Sequence, residues 1–177
     1  QRVGEIVGAI ADAAGINTLD RPTLKLAGQM HDTGKLLIPR EILDAPRSLS
    51  LEEKKIVQKH PLLGLAVTQW YKKEFPQEVL DSILMHHERW DGEGYPLGLK
   101  GEKIPLMIRI ISLADTIDAC ASRRVYKSPW QIDFIYDLLK EESGKNFDPE
   151  LTKICIDNLD NILEIVKTIN LIMNKVC

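Results

Sequence analysis

An all-α fold is predicted by three observations. Apolar residues recur at three- and four-residue spacing in one segment after another, helix-start and helix-stop residues bracket those segments, and no segment sustains period-2 alternation with turn dipeptides. With 177 residues, 44% of them hydrophobic, the chain has enough apolar material for one compact core.

The elements follow in order. Val3, Ile6, Val7, Ile10 and Ala14 mark a first helix, and Gly15 stands where a left-handed terminator would. A second helix starts near Asp20 to Thr23, tolerates Pro22 in its first turn, carries Leu24, Ala27 and His31 on one face, and ends at Gly34. Ser50 and Glu53 have the spacing of a capping box, for a third helix that ends at His60-Pro61. The fourth directs Leu62, Leu63, Ala66, Val67 and Trp70 inward. Pro76 opens the fifth, whose buried stripe is Leu80, Ile83, Leu84 and His87. From Glu88 to Pro105 the periodicity stops, and six glycines and prolines make this a long loop. Helical spacing resumes with Met107, Ile110, Ile111, Ala114, Ile117 and Ala121, and again after Ser128-Pro129 with Ile132, Ile135, Leu138 and Leu139. Asp148-Pro149 caps a last helical stretch to the C-terminus.

Composition excludes several function classes. A formal net charge of -3 provides no global basic field, so no DNA or RNA polymer is expected as a partner, and local cations must hold any anionic ligand. The three cysteines form no CxxC pair, which argues against a disulfide scaffold and a zinc ribbon and suits a reducing cytoplasm. No apolar run reaches the roughly 18 residues that cross a bilayer, so no membrane contact is expected of this domain. Arg2-Val3 runs into the first helix without a start signal, so the chain is expected to begin inside a larger protein.

The four histidines carry the chemistry. His31-Asp32 closes one helix, His60 precedes a proline at a helix end, His86-His87 closes another, and Asp115 interrupts an otherwise apolar helix. These are six nitrogen and oxygen donors from four helices. Singly, each has a bland reading: a hydrogen-bonded core histidine, an aspartate at the solvated edge, a histidine pair favouring a helix dipole. Together they need four coincidences, or one site for a borderline or hard divalent cation. An aspartate such as Asp32 can bridge two ions about 3.5 to 4 Å apart, a spacing that clamps the attacking and leaving oxygens of phosphoryl transfer and makes a separate protein base unnecessary.

The ordered blocks His31-Asp32-Thr33-Gly34-Lys35, Ile38-Pro39, His60-Pro61 with Gly64, His86-His87-Glu88-Arg89-Trp90-Asp91-Gly92-Glu93-Gly94-Tyr95-Pro96, Ile104-Pro105 and Ala114-Asp115-Thr116-Ile117-Asp118-Ala119 resemble an HD-GYP domain over roughly residues 2 to 150. The resemblance implies a five-helix HD core with additional C-terminal helices. It further implies two or three divalent metal ions, iron or manganese, and hydrolysis of cyclic di-GMP to linear pGpG or GMP, with cyclic GMP-AMP as second substrate. His31, Asp32, His60, His86, His87 and Asp115 would be the metal ligands. Lys35, beside the catalytic Asp32, matches the lysine that contacts the scissile phosphate, where its ammonium offsets charge on the phosphoryl oxygens or protonates the leaving oxygen. Gly94, Tyr95, Pro96, Arg124 and Lys127 match substrate-binding positions.

In the glycine-rich loop, Gly92, Gly94 and Gly98 let the main chain turn or approach a ligand, Pro96 stiffens the turn, and Tyr95 can stack on a base or line the rim. Trp90 reads as a stacking residue or as the loop's hydrophobic anchor. The family's first metal histidine falls three residues before the position of Arg2, outside this sequence, and Arg123 and Val125 replace a commonly acidic residue and a common proline. A catalytically inactive module that binds a cyclic dinucleotide or a protein partner is therefore the competing reading. Residues 1-150 are taken as the HD-GYP unit and 151-177 as a helical extension that packs on the core or forms a homodimer seam, packing being favoured. An N-terminal regulatory domain is expected in the full-length protein.

Overall fold

The computed structural model describes residues 2–71, 74–122 and 132–176. Among them no strand forms, as the periodicity predicts, and helices surround a main apolar core, with a small second cluster of Met85, Ile104 and Ile108. Helix α1 (Arg2–Ala13) buries Val3, Ile6, Val7, Ile10 and Ala11 and stops before Gly15, whose φ is 65°. Helix α2 (Arg21–Met30) is capped by Asp20, whose carboxylate accepts from the Thr23 amide, and lies along α1. It ends at Met30, four residues earlier than the sequence suggests. His31 and Asp32 then lead into a 3-10 turn, Thr33–Leu37.

That turn is pressed onto a later helix. A β-carbon on Gly34 would lie 1.9 Å from the His60 carbonyl oxygen and 2.5 Å from the Gly64 amide nitrogen, so only glycine admits this approach. The single turn α3 (Arg40–Leu43) has no counterpart in the sequence reading. The capping box of Ser50 and Glu53 forms and starts α4 (Leu51–Val57). His60 does not close that helix but opens α5 (His60–Trp70), because a proline lacks the N–H that a first turn leaves unbonded anyway. The inward face of α5 is His60, Gly64, Val67 and Thr68, while Leu62 and Trp70 are exposed, at 56% and 68%.

Helix α6 (Gln77–Met85) is rotated by one residue from the predicted stripe: Val79, Ser82 and Ile83 are buried, followed by His86 as C-cap, and Leu80, Leu84 and His87 lie at the margin. The helix has apolar residues in two adjacent phases, and contact with α2 and α5 selects one. Helix α7 (Leu106–Ser122) buries the whole predicted stripe and touches α1, α2 and α6. After it come α8 (Ile132–Glu142), α9 (Pro149–Asp157) and α10 (Leu159–Val176). The C-terminal stretch is thus two helices, interrupted at Asn158, whose side-chain amide donates to the Ile154 carbonyl. Ile162 and Val166 of α10 are buried against the core. Arg2 joins three elements: its guanidinium donates to both carboxylate oxygens of Asp118 on α7 and to Asn170 on α10. Among the described residues no helix is long and apolar enough to cross a membrane.

Candidate metal centre

Three helix ends and the middle of α7 deliver the donors to one place. Asp32, His60, His86 and His87 each offer one ligand atom, all within 4.8 Å of one another, and His31, Asp32 and Asp115 form a second such group. Asp32 belongs to both. All six residues singled out as metal ligands are therefore brought together, and the shared aspartate is the one expected to bridge.

The main chain fixes how three of the imidazoles face. Nδ1 of His31 donates to the Gly28 carbonyl (2.8 Å), Nδ1 of His60 to the Val57 carbonyl (2.7 Å), and Nδ1 of His86 to the Ser82 carbonyl (3.0 Å). A carbonyl only accepts, so each Nδ1 carries a hydrogen and each ring turns its Nε2 inward, bare wherever the ring is neutral. The Nε2 atoms of His60 and His86 then sit 3.0 Å apart, and when both rings are neutral their lone pairs oppose each other, an arrangement that a cation between them relieves. Nε2 of His31 and Oδ1 of Asp32 are buried with no hydrogen-bond partner. Contacts of 3.3 to 3.6 Å link Asp32 to His60, His31 and His86, and His31 lies 3.4 Å from Asp115. These are too long for hydrogen bonds, yet close enough for charge to be felt. Buried, orphaned, oxygen and imidazole donors fit a divalent cation.

The electrostatics favour positive charge beside the two carboxylates and neutral rings at His86 and His87. Burial opposes a charge on His31, but Asp115 and Asp32 outweigh it and raise its pKa to about 10. Burial likewise opposes ionisation of Asp32, but the surrounding imidazoles hold it well below the usual carboxylate range, and Asp115 is lowered beside His31 against its own burial. His87 is pushed down to about 3 by burial and by neighbouring His86 and His60, and burial lowers His86 too, so both remain neutral lone-pair donors. Burial, aided by the charge on Asp32, lifts the Tyr95 phenol to about 12.

Lys35, on the 3-10 turn, donates to Asp32 Oδ2 at 2.5 Å, which puts its ammonium at the rim. Beside the centre opens a cleft of about 370 Å³, a size suited to a small molecule, bounded by His86, His87, Tyr95, Asp115, Arg89 and Asn146 among others. Tyr95 reaches it; Gly94 and Pro96 do not. Gly94 is needed for a different reason: a β-carbon there would lie 2.4 Å from the Arg89 nitrogen and 2.6 Å from the His87 carbonyl oxygen. Its φ is not positive, whereas those of Gly92 and Gly98 are. Arg124, Lys127, Arg123, Val125 and the predicted helix start at Ser128-Pro129 lie outside the described residues.

Sequence reasoning passed over Glu88. Only 2% exposed, its carboxylate accepts from the Leu97 amide (2.7 Å) and the Leu99 amide (2.6 Å) and draws the loop back over the end of α6. Its position between two motif histidines and the loop was the available signal. Trp90 is an anchor: Arg109 stacks on it at 5.7 Å while donating to Asp148 at 2.6 Å.

A helical bundle in which a His-Asp turn, two further helix ends and a mid-helix aspartate converge on one donor cluster is the HD class of metal-site fold. A family model described as HD domain matches residues 1–151. The chain therefore belongs to the HD domain family and, with its Gly94-Tyr95-Pro96 loop, to the HD-GYP proteins within it. It is similar to the 3'3'-cGAMP-specific phosphodiesterase 2 of Vibrio cholerae, 34% identical over 93% of this chain and 32% of that protein. It is also similar to the cyclic di-GMP phosphodiesterase response regulator RpfG of Xanthomonas campestris, 36% identical over 90% of this chain and 41% of that protein. A cyclic di-GMP phosphodiesterase of Thermotoga maritima is 37% identical over 86% of this chain and 42% of that protein. Among solved structures, Bd1817, an HDG"Y"P protein from Bdellovibrio bacteriovorus, superposes with a TM-score of 0.66 at 25% identity, over 90% of this chain and 50% of that one. The chain spans about a third to two fifths of the length of these curated relatives.

Proposed function

We propose that this chain is the phosphodiesterase unit of a cyclic-dinucleotide signalling protein, with cyclic di-GMP as first substrate and cyclic GMP-AMP as second. The observation that carries the reading is the pair of donor groups sharing Asp32, in which the inward Nε2 atoms of His60 and His86 are 3.0 Å apart with both Nδ1 hydrogens committed to carbonyls. His60, His86 and His87 with Asp32 would hold one ion, and His31 and Asp115 with Asp32 the other. Iron or manganese suits this imidazole and carboxylate set. Such ions supply Lewis-acid stabilisation of phosphoryl oxygens and lower the pKa of water.

The protein's own groups do the rest. Lys35 places a cation where charge develops on the phosphoryl oxygens, or gives a proton to the departing sugar oxygen. Tyr95, Arg89 and Asn146 bound the cleft in which a nucleotide would lie, and Arg124 and Lys127 are assigned to the same ligand by their motif positions. We read residues 1-150 as the catalytic unit and 151-177 as its packed extension. In the cell we place it in the cytoplasm, joined to a regulatory domain and able to form a homodimer.

The test is hydrolysis of cyclic di-GMP by the protein loaded with Mn²⁺ or Fe²⁺, with Asp32→Ala as control. Turnover that disappears in the variant supports the reading, and turnover unchanged in it would falsify the assignment. Binding of the dinucleotide without hydrolysis in the metal-loaded protein would instead identify a signalling module.

A further inference from the structure

Three of the four histidines around Asp32 are oriented by the main chain, and the fourth is not. His87, at the end of α6, has no hydrogen bond to either ring nitrogen among the described residues. Its ring is flanked instead: His86 lies 4.2 Å away, tilted by 44°, His60 lies 4.9 Å away edge-on, and Tyr95, which belongs to neither donor group, is stacked on it at 4.8 Å, centroid to centroid, with the planes 20° apart. The Tyr95 hydroxyl makes no hydrogen bond among the described residues, so the contact is made by the ring face alone. The loop is held behind that contact from two sides. The Tyr95 amide donates to the His87 carbonyl at 3.2 Å, an approach that Gly94 alone permits, and the buried Glu88 carboxylate takes the Leu97 and Leu99 amides.

We propose that Tyr95 is a positioning residue for His87, substituting a ring stack for the main-chain hydrogen bond that orients His31, His60 and His86. An imidazole with no partner at Nδ1 rotates about its ring bond unless something flanks its face, and an outer partner that fixes such a ring commonly sustains metal affinity. The inference rests on the metal-centre reading above. Its consequence is unequal: the ion held by Asp32, His60, His86 and His87 depends on Tyr95, and the ion held by His31, Asp32 and Asp115 does not.

Titration calorimetry of the metal-stripped chain with Mn²⁺ tests this in wild type, Tyr95→Phe and Tyr95→Leu. Tyr95→Phe is expected to match wild type. Tyr95→Leu is expected to weaken one ion by about 10- to 100-fold and leave the other within about twofold, with the melting temperature of the metal-free protein unchanged. Both affinities intact in Tyr95→Leu, or Tyr95→Phe as damaging as Tyr95→Leu, would overturn the proposal. So would equal loss of both ions with a lowered melting temperature, which marks a merely structural role. Wild type that takes up no Mn²⁺ refutes the metal-centre reading itself, and this inference with it. If Tyr95→Leu does not fold, NMR of the metal-free wild type decides: His87 ring protons shifted upfield by the tyrosine ring current support the stack, and unshifted ones exclude it.

Discussion

Asp32 is the residue on which the centre turns, because it is the one donor common to both groups. Asp32→Ala should therefore lose both ions, whereas Asp115→Ala should lose one, and elemental analysis after gel filtration distinguishes the two. Lys35 offers the complementary case. Its ammonium bonds Asp32 from the rim and belongs to neither donor group, so Lys35→Ala should keep its metal while kcat falls about 10²- to 10³-fold, the usual cost of one charge-stabilising donor. Metal content measured beside kcat checks the separation; parallel loss of both would make Lys35 a structural support. Of the site at this scale, the sequence revealed the candidate donors, because each alone has an ordinary reading but the six together need several coincidences. It did not reveal Glu88 or the His87–Tyr95 stack. Both are contacts across a loop without periodicity, and such a loop leaves no pattern to read.

At the scale of elements, the closest approach in the fold is the 3-10 turn seated on α5. Gly34→Ala would drive a methyl into the His60 carbonyl, and we expect it to destabilise the protein by about 3 kcal/mol or more and to displace His60 from the centre. Urea unfolding and metal uptake report the two effects separately. The N-terminus of α4 gives a pH-dependent case. Arg47 and the Ser50 amide hold the Glu53 carboxyl down at about 2, from an ordinary 4.5. A carboxyl with a depressed pKa contributes stability that is complete above its unfolded value and is lost as pH falls through its folded one. The stability difference between wild type and Glu53→Gln, small because the pair with the exposed Arg47 lies at the surface, should thus be constant above about pH 5 and shrink towards pH 2. Helix caps were legible because they are local: Ser50, Asp20 and Asp148 cap as their spacing says. The phase of α6 and the outward turn of Leu62 and Trp70 were not. A helix with apolar residues in two adjacent phases is decided by its neighbours rather than by its own period.

For the whole molecule, ions that bind the folded chain and not the unfolded one must stabilise it. Mn²⁺ at a hundredfold excess over its Kd should add about 2.7 kcal/mol, which for a chain of this size corresponds to roughly 5 to 11 °C in Tm. Chelation should reverse the shift, and a Tm indifferent to metal would contradict a centre built from four elements. The sequence by itself determined that the chain is helical, where most helices begin, that residues 88 to 105 form a loop, and which six side chains are the candidates to hold a cation. Tertiary structure alone decided that His60 opens α5, that α2 gives way to a 3-10 turn at His31-Asp32, how the six donors divide into two groups around Asp32, and that Tyr95 lies against His87. The division has a physical cause. Periodicity and caps record interactions within a few residues, whereas this centre is made by donors far apart in sequence, whose meeting depends on how closely separate helices can approach.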